Sequence, residues 1–204
     1  MEQKTDLRVL KTYKALCNTF SDMLEEKKFE DITVNELCER AMVRRATFYK
    51  HFADKYEFFG FFIRETQDEF NANVRAYDQE DTPYSYYIYL LKNSVKLLKE
   101  HKKFVDNVLK SSAFPTLLEI ISDEIYRNVL LNMKENVRNG MPIAVSPNIL
   151  ASFYTGGIVQ TLRVWVTTPN QITEDEMLEE IEKILNVFAI GNDIIIEQQK
   201  LNET

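Results

Sequence analysis

Glycine and proline are scarce, five of each in 204 residues. A β-sandwich or barrel uses such residues at turns roughly every 8–12 positions, so the shortage points to an all-α chain. Cysteine is scarcer still. Cys17 and Cys38 lack C-x-x-C spacing, which excludes a disulfide scaffold and a thiolate zinc site and leaves both as small core residues. No run approaches the roughly 18 consecutive apolar residues of a membrane helix. The polar start, residues 1–6, lacks the apolar stretch of a signal peptide, so the chain reads as cytoplasmic with no membrane partner. His51 and His101 are the only histidines, and no H-E-x-x-H, G-x-S-x-G or phosphate-cradling glycine loop is present. The reading is therefore not an enzyme, with no cofactor or metal called for and His101, beside Lys102 and Lys103, solvated.

What is there suits a packed helical protein: 45% hydrophobic and 28% charged residues, with a net charge of −7. An acidic total argues against nucleic acid, because phosphates need Lys and Arg close by. Its distribution reverses that argument. Residues 1–60 hold eleven basic and eleven acidic side chains, so the whole excess falls on the rest, and residues 38–55 hold five basic against two acidic. A small basic locus sits on an acidic body.

Leu10, Tyr13, Leu16, Cys17, Phe20, Met23 and Leu24 recur at steps of three and four, predicting a first helix that stops at Glu25-Glu26-Lys27-Lys28. Thr33-Val34-Asn35-Glu36 has capping-box spacing, with Glu36 expected to reach back to Thr33, so a second helix starts at Val34. A third, short helix covers Arg44–Phe52. Asp54-Lys55-Tyr56-Glu57 repeats the box and opens a long amphipathic helix through Phe58, Phe59, Phe62, Ile63, Phe70 and Val74. Residues 77–83, polar and ending in Pro83, mark an internal boundary. Beyond it, helices are predicted near 84–100, 102–111, 116–138, 147–168 and 174–199, about nine in all.

Two short helices joined by a tight turn, the second carrying Arg44, Arg45, Thr47, Tyr49, Lys50 and His51, form a helix-turn-helix pattern. Its chemistry fits DNA. Arg44 or Arg45 can donate two bonds to guanine O6 and N7, while Thr33, Thr47, Tyr49 and Lys55 suit backbone phosphates. An ordinary αα-hairpin with a solvated arginine pair fits the same spacing.

The run Phe29–Ala41, followed by Arg45-Ala46-Thr47-Phe48-Tyr49-Lys50-His51-Phe52-Ala53-Asp54-Lys55-Tyr56, resembles the DNA-binding domain of TetR-family transcriptional regulators over residues 8–60. The resemblance implies that Thr33, Tyr49 and Lys55 contact phosphates, that residues around Arg44, Arg45, Thr47 and His51 face the groove, and that Phe48 and Phe52 are core. Two positions depart from the pattern. Many members have Gly where this chain has Met42 and Ala46; a left-handed residue at Met42 would be strained, which predicts a turn built differently. The implied division is a three-helix DNA-binding domain over 1–60 and an effector-sensing, dimerising helical bundle over 61–204.

In that second part Tyr84, Tyr86, Tyr89, Phe114 and others supply aromatics, with Tyr87, Phe104, Tyr126, Tyr154 and Trp165 the candidates for an effector cavity and plain core packing the alternative for each. Met177, Ile181, Ile184, Phe188 and Ile195 keep helical spacing with Gly191. With Phe153, Gly156 and Gly157 on the preceding helix they read as a dimer interface, in keeping with the four-helix interface the resemblance implies; an internal core seam is the other reading. Residues 151–165 also resemble the C-terminal pattern of the TetR branch that includes regulators like the dihydroxyacetone-kinase operon activator. The expected protein is a homodimeric, ligand-responsive repressor of a palindromic operator on double-stranded DNA. The rival is a helical protein-interaction or ligand-carrier module without specific DNA binding.

Overall fold

A computed structural model describes residues 7–75, 85–141, 143–168 and 172–202, and the described residues are helical with no strand. Among the described residues nine helices follow one another: α1 Leu7–Glu26, α2 Val34–Arg40, α3 Arg45–His51, α4 Lys55–Arg75, α5 Ser85–Glu100, α6 Lys102–Leu109, α7 Phe114–Arg138, α8 Pro147–Thr167 and α9 Glu174–Asn202, with a 3-10 turn at Phe29–Asp31. The boundary segment 77–83 and Tyr84 lie outside the described residues, as do the side chains of Phe70, Val74, Tyr86 and Tyr89.

The chain forms two compact units, Met1–Thr66 with Leu98–Ile121, and Gln67–Leu97 with Ser122–Thr204. The expected cut after residue 60 treats the first unit as one continuous stretch. Compactness adds a second stretch to it, because α6 and the start of α7 pack against α1 and the 3-10 turn. The side chain of Asn107 donates to the Leu24 carbonyl at 2.8 Å, and Val108 and Leu117 are buried with the N-terminal helices. Phe20 is the hub of that core, meeting Phe29, Phe58, Phe59 and Phe62 edge-on at centroid distances of 5.2–6.3 Å, a geometry favoured by the ring quadrupoles. Truncating such a ring to alanine costs about 3–5 kcal/mol.

The second unit packs Tyr87, Leu91 and Val95 of α5 with Val129 and Met133 of α7, Ala151 and Tyr154 of α8, and Met177, Ile181 and Leu185 of α9. These positions step by three or four along each helix, so each contributes one face. Among the described residues no helix is long and apolar enough to cross a membrane.

Candidate nucleic-acid interface

The helix-turn-helix is built by three local devices. Thr33 is extended and its hydroxyl oxygen accepts the Glu36 amide at 3.2 Å, fixing the start of α2. Half of the expected box is absent: the Glu36 carboxylate does not return to Thr33 but pairs with Lys27 and Arg40, because two cations are a stronger attraction than one amide. That pairing, the Lys27 hydrogen bond above all, lowers the Glu36 pKa. At α4, Asp54 accepts the amides of Tyr56 and Glu57 at 2.8 and 2.9 Å, while Glu57 reaches the amide of Ala53, one residue beyond its expected partner.

The turn between α2 and α3 corrects the sequence-based expectation. Met42 does take the left-handed conformation, with φ 54°. The Met42 amide bonds the Glu39 carbonyl at 3.1 Å and the Val43 amide bonds the Cys38 carbonyl at 2.9 Å, the paired bonds of a Schellman motif. Gly140 closes α7 in the same way with φ 90°. The turn keeps the glycine geometry, and the strain at Met42 is accepted rather than avoided; its side chain is 93% exposed and packs on nothing.

Phe48 and Phe52 are buried and lock α3 to the core, as expected. On the other side Arg44, Arg45, Tyr49 and Lys50 are exposed, while Thr47 and His51, four residues apart on one row, are half-buried. Arg44, Arg45 and Lys50 have no carboxylate partner among the described residues. His51 is held from behind: its Nδ1 lies 3.1 Å from the Tyr13 hydroxyl, with the rings edge-on at 5.3 Å. Burial, then the nearby Glu65 charge, raises the Tyr13 pKa and keeps that hydroxyl protonated.

Lys55, expected at a phosphate, is engaged within its own unit. Its ammonium donates to the carbonyls of Phe29, Glu30 and Ile32 at 2.9, 3.1 and 2.9 Å and sits 4.6 Å from the centre of the Phe29 ring. An ammonium has three hydrogens, and three carbonyls take them here. Burial lowers its pKa despite the opposing charges of Glu30 and Asp31. His101 is exposed, as expected, with its Nδ1 3.2 Å from Glu25. Cys38 is buried, which raises its thiol pKa and makes it a poor nucleophile, and Cys17 is half-buried.

The five aromatic effector candidates divide between the two units. Phe104 belongs to the first unit's core, 6.2 Å from Phe62, whereas Tyr126 and Trp165 pack beside the second unit's core. Tyr87 and Tyr154 do meet, ring to ring at 5.4 Å, and line a cavity with Met133, Asn136, Met141, Ile143 and Leu150. Its volume of about 20 Å³ holds a water and not an effector.

The apolar stripe on α9 splits. Met177, Ile181 and Leu185 are core of their own unit, Ile181 being only 8% exposed, and Phe188 is half-buried against Phe153 and Tyr154. Ile184 and Ile195 lie outside with Val187, Ile190 and Ile194; Ile184 is 54% exposed. On α8, Ile149, Phe153 and Val164 are exposed on one face with Gly156 and Gly157, and nothing lies within 4 Å of where a glycine Cβ would sit. Ile181 thus leaves the expected interface set, and Phe153, Gly157, Ile184 and Ile195 remain accessible.

A capped α2, a left-handed turn and an α3 with a buried aromatic back and a basic front make up a helix-turn-helix of the kind that reads DNA. Residues 21–60 match the family of bacterial regulatory proteins named tetR, and residues 89–187 match a transcriptional regulator C-terminal region. The chain belongs to the TetR family of transcriptional regulators. An uncharacterised HTH-type transcriptional regulator of Bacillus subtilis (strain 168), YxbF, is 42% identical over 57 residues, which are 28% of this chain and 15% of that protein. The chain therefore spans only a small part of that relative's length. Two solved structures share the fold: a protein of Syntrophomonas wolfei described as a TetR-family transcriptional regulator, with TM-score 0.60, 16% identity and 88% and 95% of the two chains covered, and the dihydroxyacetone kinase operon activator DhaS, with TM-score 0.53, 16% identity and 90% and 97% covered.

Proposed function

We propose that the chain is a cytoplasmic, homodimeric DNA-binding regulator that represses transcription from a palindromic operator and releases it in response to an effector. The observation that carries the DNA-binding reading is the front of α3: Arg44, Arg45 and Lys50 are exposed with no carboxylate among the described residues to neutralise them, on a chain whose net charge is −7. Arg45, at the first position of α3, suits bidentate donation to guanine. Tyr49 and Lys50 on the same face suit phosphates, as does the Thr33 hydroxyl, which accepts one amide and keeps its own hydrogen to donate.

Dimerisation is supported by the exposed apolar face of α8 and α9. Isolated apolar side chains on a surface are ordinary, but a row of them beside three open glycines fits a second copy packed closely. A two-fold dimer carries two α3 helices, hence a palindrome with half-sites about one helical turn apart. The Tyr87–Tyr154 cavity is the best start for an effector site, and its small volume means that binding must open it.

The test is fluorescence anisotropy on a duplex selected from a random library, compared with its scrambled version at two salt concentrations. Selective, salt-sensitive binding is expected, and Arg45→Ala should lose about 1–3 kcal/mol of discrimination at one base pair per half-site. Failure of every duplex to bind in a salt-dependent way would overturn the reading in favour of an interaction module.

A further inference from the structure

Helix α3 turns a short apolar side chain outward in its first turn. The back of the helix is set by Phe48 and Phe52, both buried. At about 100° per residue, Ala46 points about 140° away from the midline of that buried pair, and Lys50, one turn further along the same row, about 180° away. Ala46 is exposed. By the same count Arg45 and Tyr49 lie to one side of it and Thr47 to the other. Tyr49 is held on its side by an edge-on contact with the Phe48 ring at 5.5 Å, and Thr47 is half-buried. A methyl group therefore faces outward with longer, polar side chains on either hand.

That methyl neither donates nor accepts a hydrogen bond, which limits what it can meet. Seen from the major groove, the bases present donors and acceptors, and thymine alone adds an apolar group, its C5 methyl. A cytosine turned toward Ala46 would bring an amino group that loses water and gains no partner. Base edges are met mainly by the first residues of a recognition helix, and Arg45 and Ala46 are the first two of α3.

Resting on the DNA-binding function proposed above, we propose that Ala46 selects thymine in each operator half-site by packing its Cβ against the C5 methyl of that base. The half-site is then read by two kinds of contact. Arg45 donates to guanine, and Ala46 favours a base with an apolar edge over one with a polar edge.

The experiment uses deoxyuridine, which pairs as thymidine does and lacks only the methyl. In the library-selected duplex each thymine of one half-site is replaced in turn, and affinity is measured for the full chain and for Ala46→Gly. At one position the parent should lose about three- to five-fold, the worth of one methyl taken from water, while Ala46→Gly binds the two duplexes alike. Comparing duplexes within each protein cancels whatever glycine costs the helix itself. If no thymine can be replaced with loss to the parent, the proposal is overturned. It is overturned equally if the loss persists in Ala46→Gly, because another side chain then meets the methyl. A parent without selective, salt-dependent binding overturns the DNA reading itself.

Discussion

The carboxylate of Glu30 accepts the hydroxyl of Ser111, 81 residues further along the chain, and the adjacent Ser112 amide at 3.0 Å. This pair ties the 3-10 turn before α2 to the turn between α6 and α7. The carbonyls of the same 3-10 turn hold Lys55 at the start of α4, so the entry to the helix-turn-helix is fixed from two sides.

That geometry makes stability depend on pH with a definite sign. The Ser111 hydrogen bond first, and the Ser112 amide second, hold the Glu30 pKa at about 2 against an ordinary 4.5. A carboxylate depressed in the fold stabilises it fully above its unfolded pKa and loses that contribution as pH falls through the folded one. Glu30→Gln should therefore melt below the parent at pH 7, with the gap closing between about pH 4.5 and 2. Melting curves followed by circular dichroism at stepped pH measure it. A gap that is constant with pH would show that the charge of Glu30 contributes nothing.

Lys55→Met should act on the fold and not on the DNA contact. Removing the ammonium takes a donor from three carbonyls, of which that of Phe29 keeps the Ile32 amide, a cost of about 2 kcal/mol. Chemical denaturation should show that loss, while the folded variant, assayed well below its melting point, keeps the parental salt slope. A slope shallower by about one with unchanged stability would return Lys55 to the phosphate-binding set.

Most of the helical boundaries were legible, because steps of three and four mark faces and Thr33 and Asp54 mark starts. The candidate site was legible in part. Spacing places Arg45 and Lys50 on one face of α3, but it cannot tell an ammonium that meets solvent from one, like that of Lys55, enclosed by carbonyls 23–26 residues away in sequence. The same blindness applies to α9. Ile181 and Ile184 are equally apolar and three residues apart, and their different burial follows from which neighbours the other helices bring. Ser111 and Glu30 gave no signal at all, since hydroxyls and carboxylates recur everywhere along a helical chain.

Met42→Gly should stabilise the protein. A residue with a Cβ in the left-handed region costs roughly 1–2 kcal/mol. Glycine removes that strain at an entropic cost of about 0.5–1 kcal/mol, and the exposed Met42 side chain has no packing to lose. The expected gain is about 0.5–1 kcal/mol by denaturant titration. A loss would mean that the left-handed backbone at Met42 costs less than the freedom glycine adds to the unfolded chain.

The paired isoleucines of α9 separate a core from a docking face in one experiment. Ile181 is buried beside Leu185 and Met177, and truncation to alanine leaves a cavity costing about 2–4 kcal/mol in any assembly state. Ile184 is exposed on a row shared with Val187, Gly191 and Ile194, about a third of a turn from the buried row. A glutamate there stays solvated in a monomer but is desolvated without a partner in the proposed dimer. Sedimentation velocity should find Ile184→Glu monomeric and helical at concentrations where the parent is dimeric, and Ile181→Ala dimeric but less stable. DNA affinity then decides whether the pairing matters, because a monomer presents one α3 to one half-site and forfeits the second contact. If Ile184→Glu stays dimeric, the second copy docks on another face and the palindromic spacing must be derived again from there.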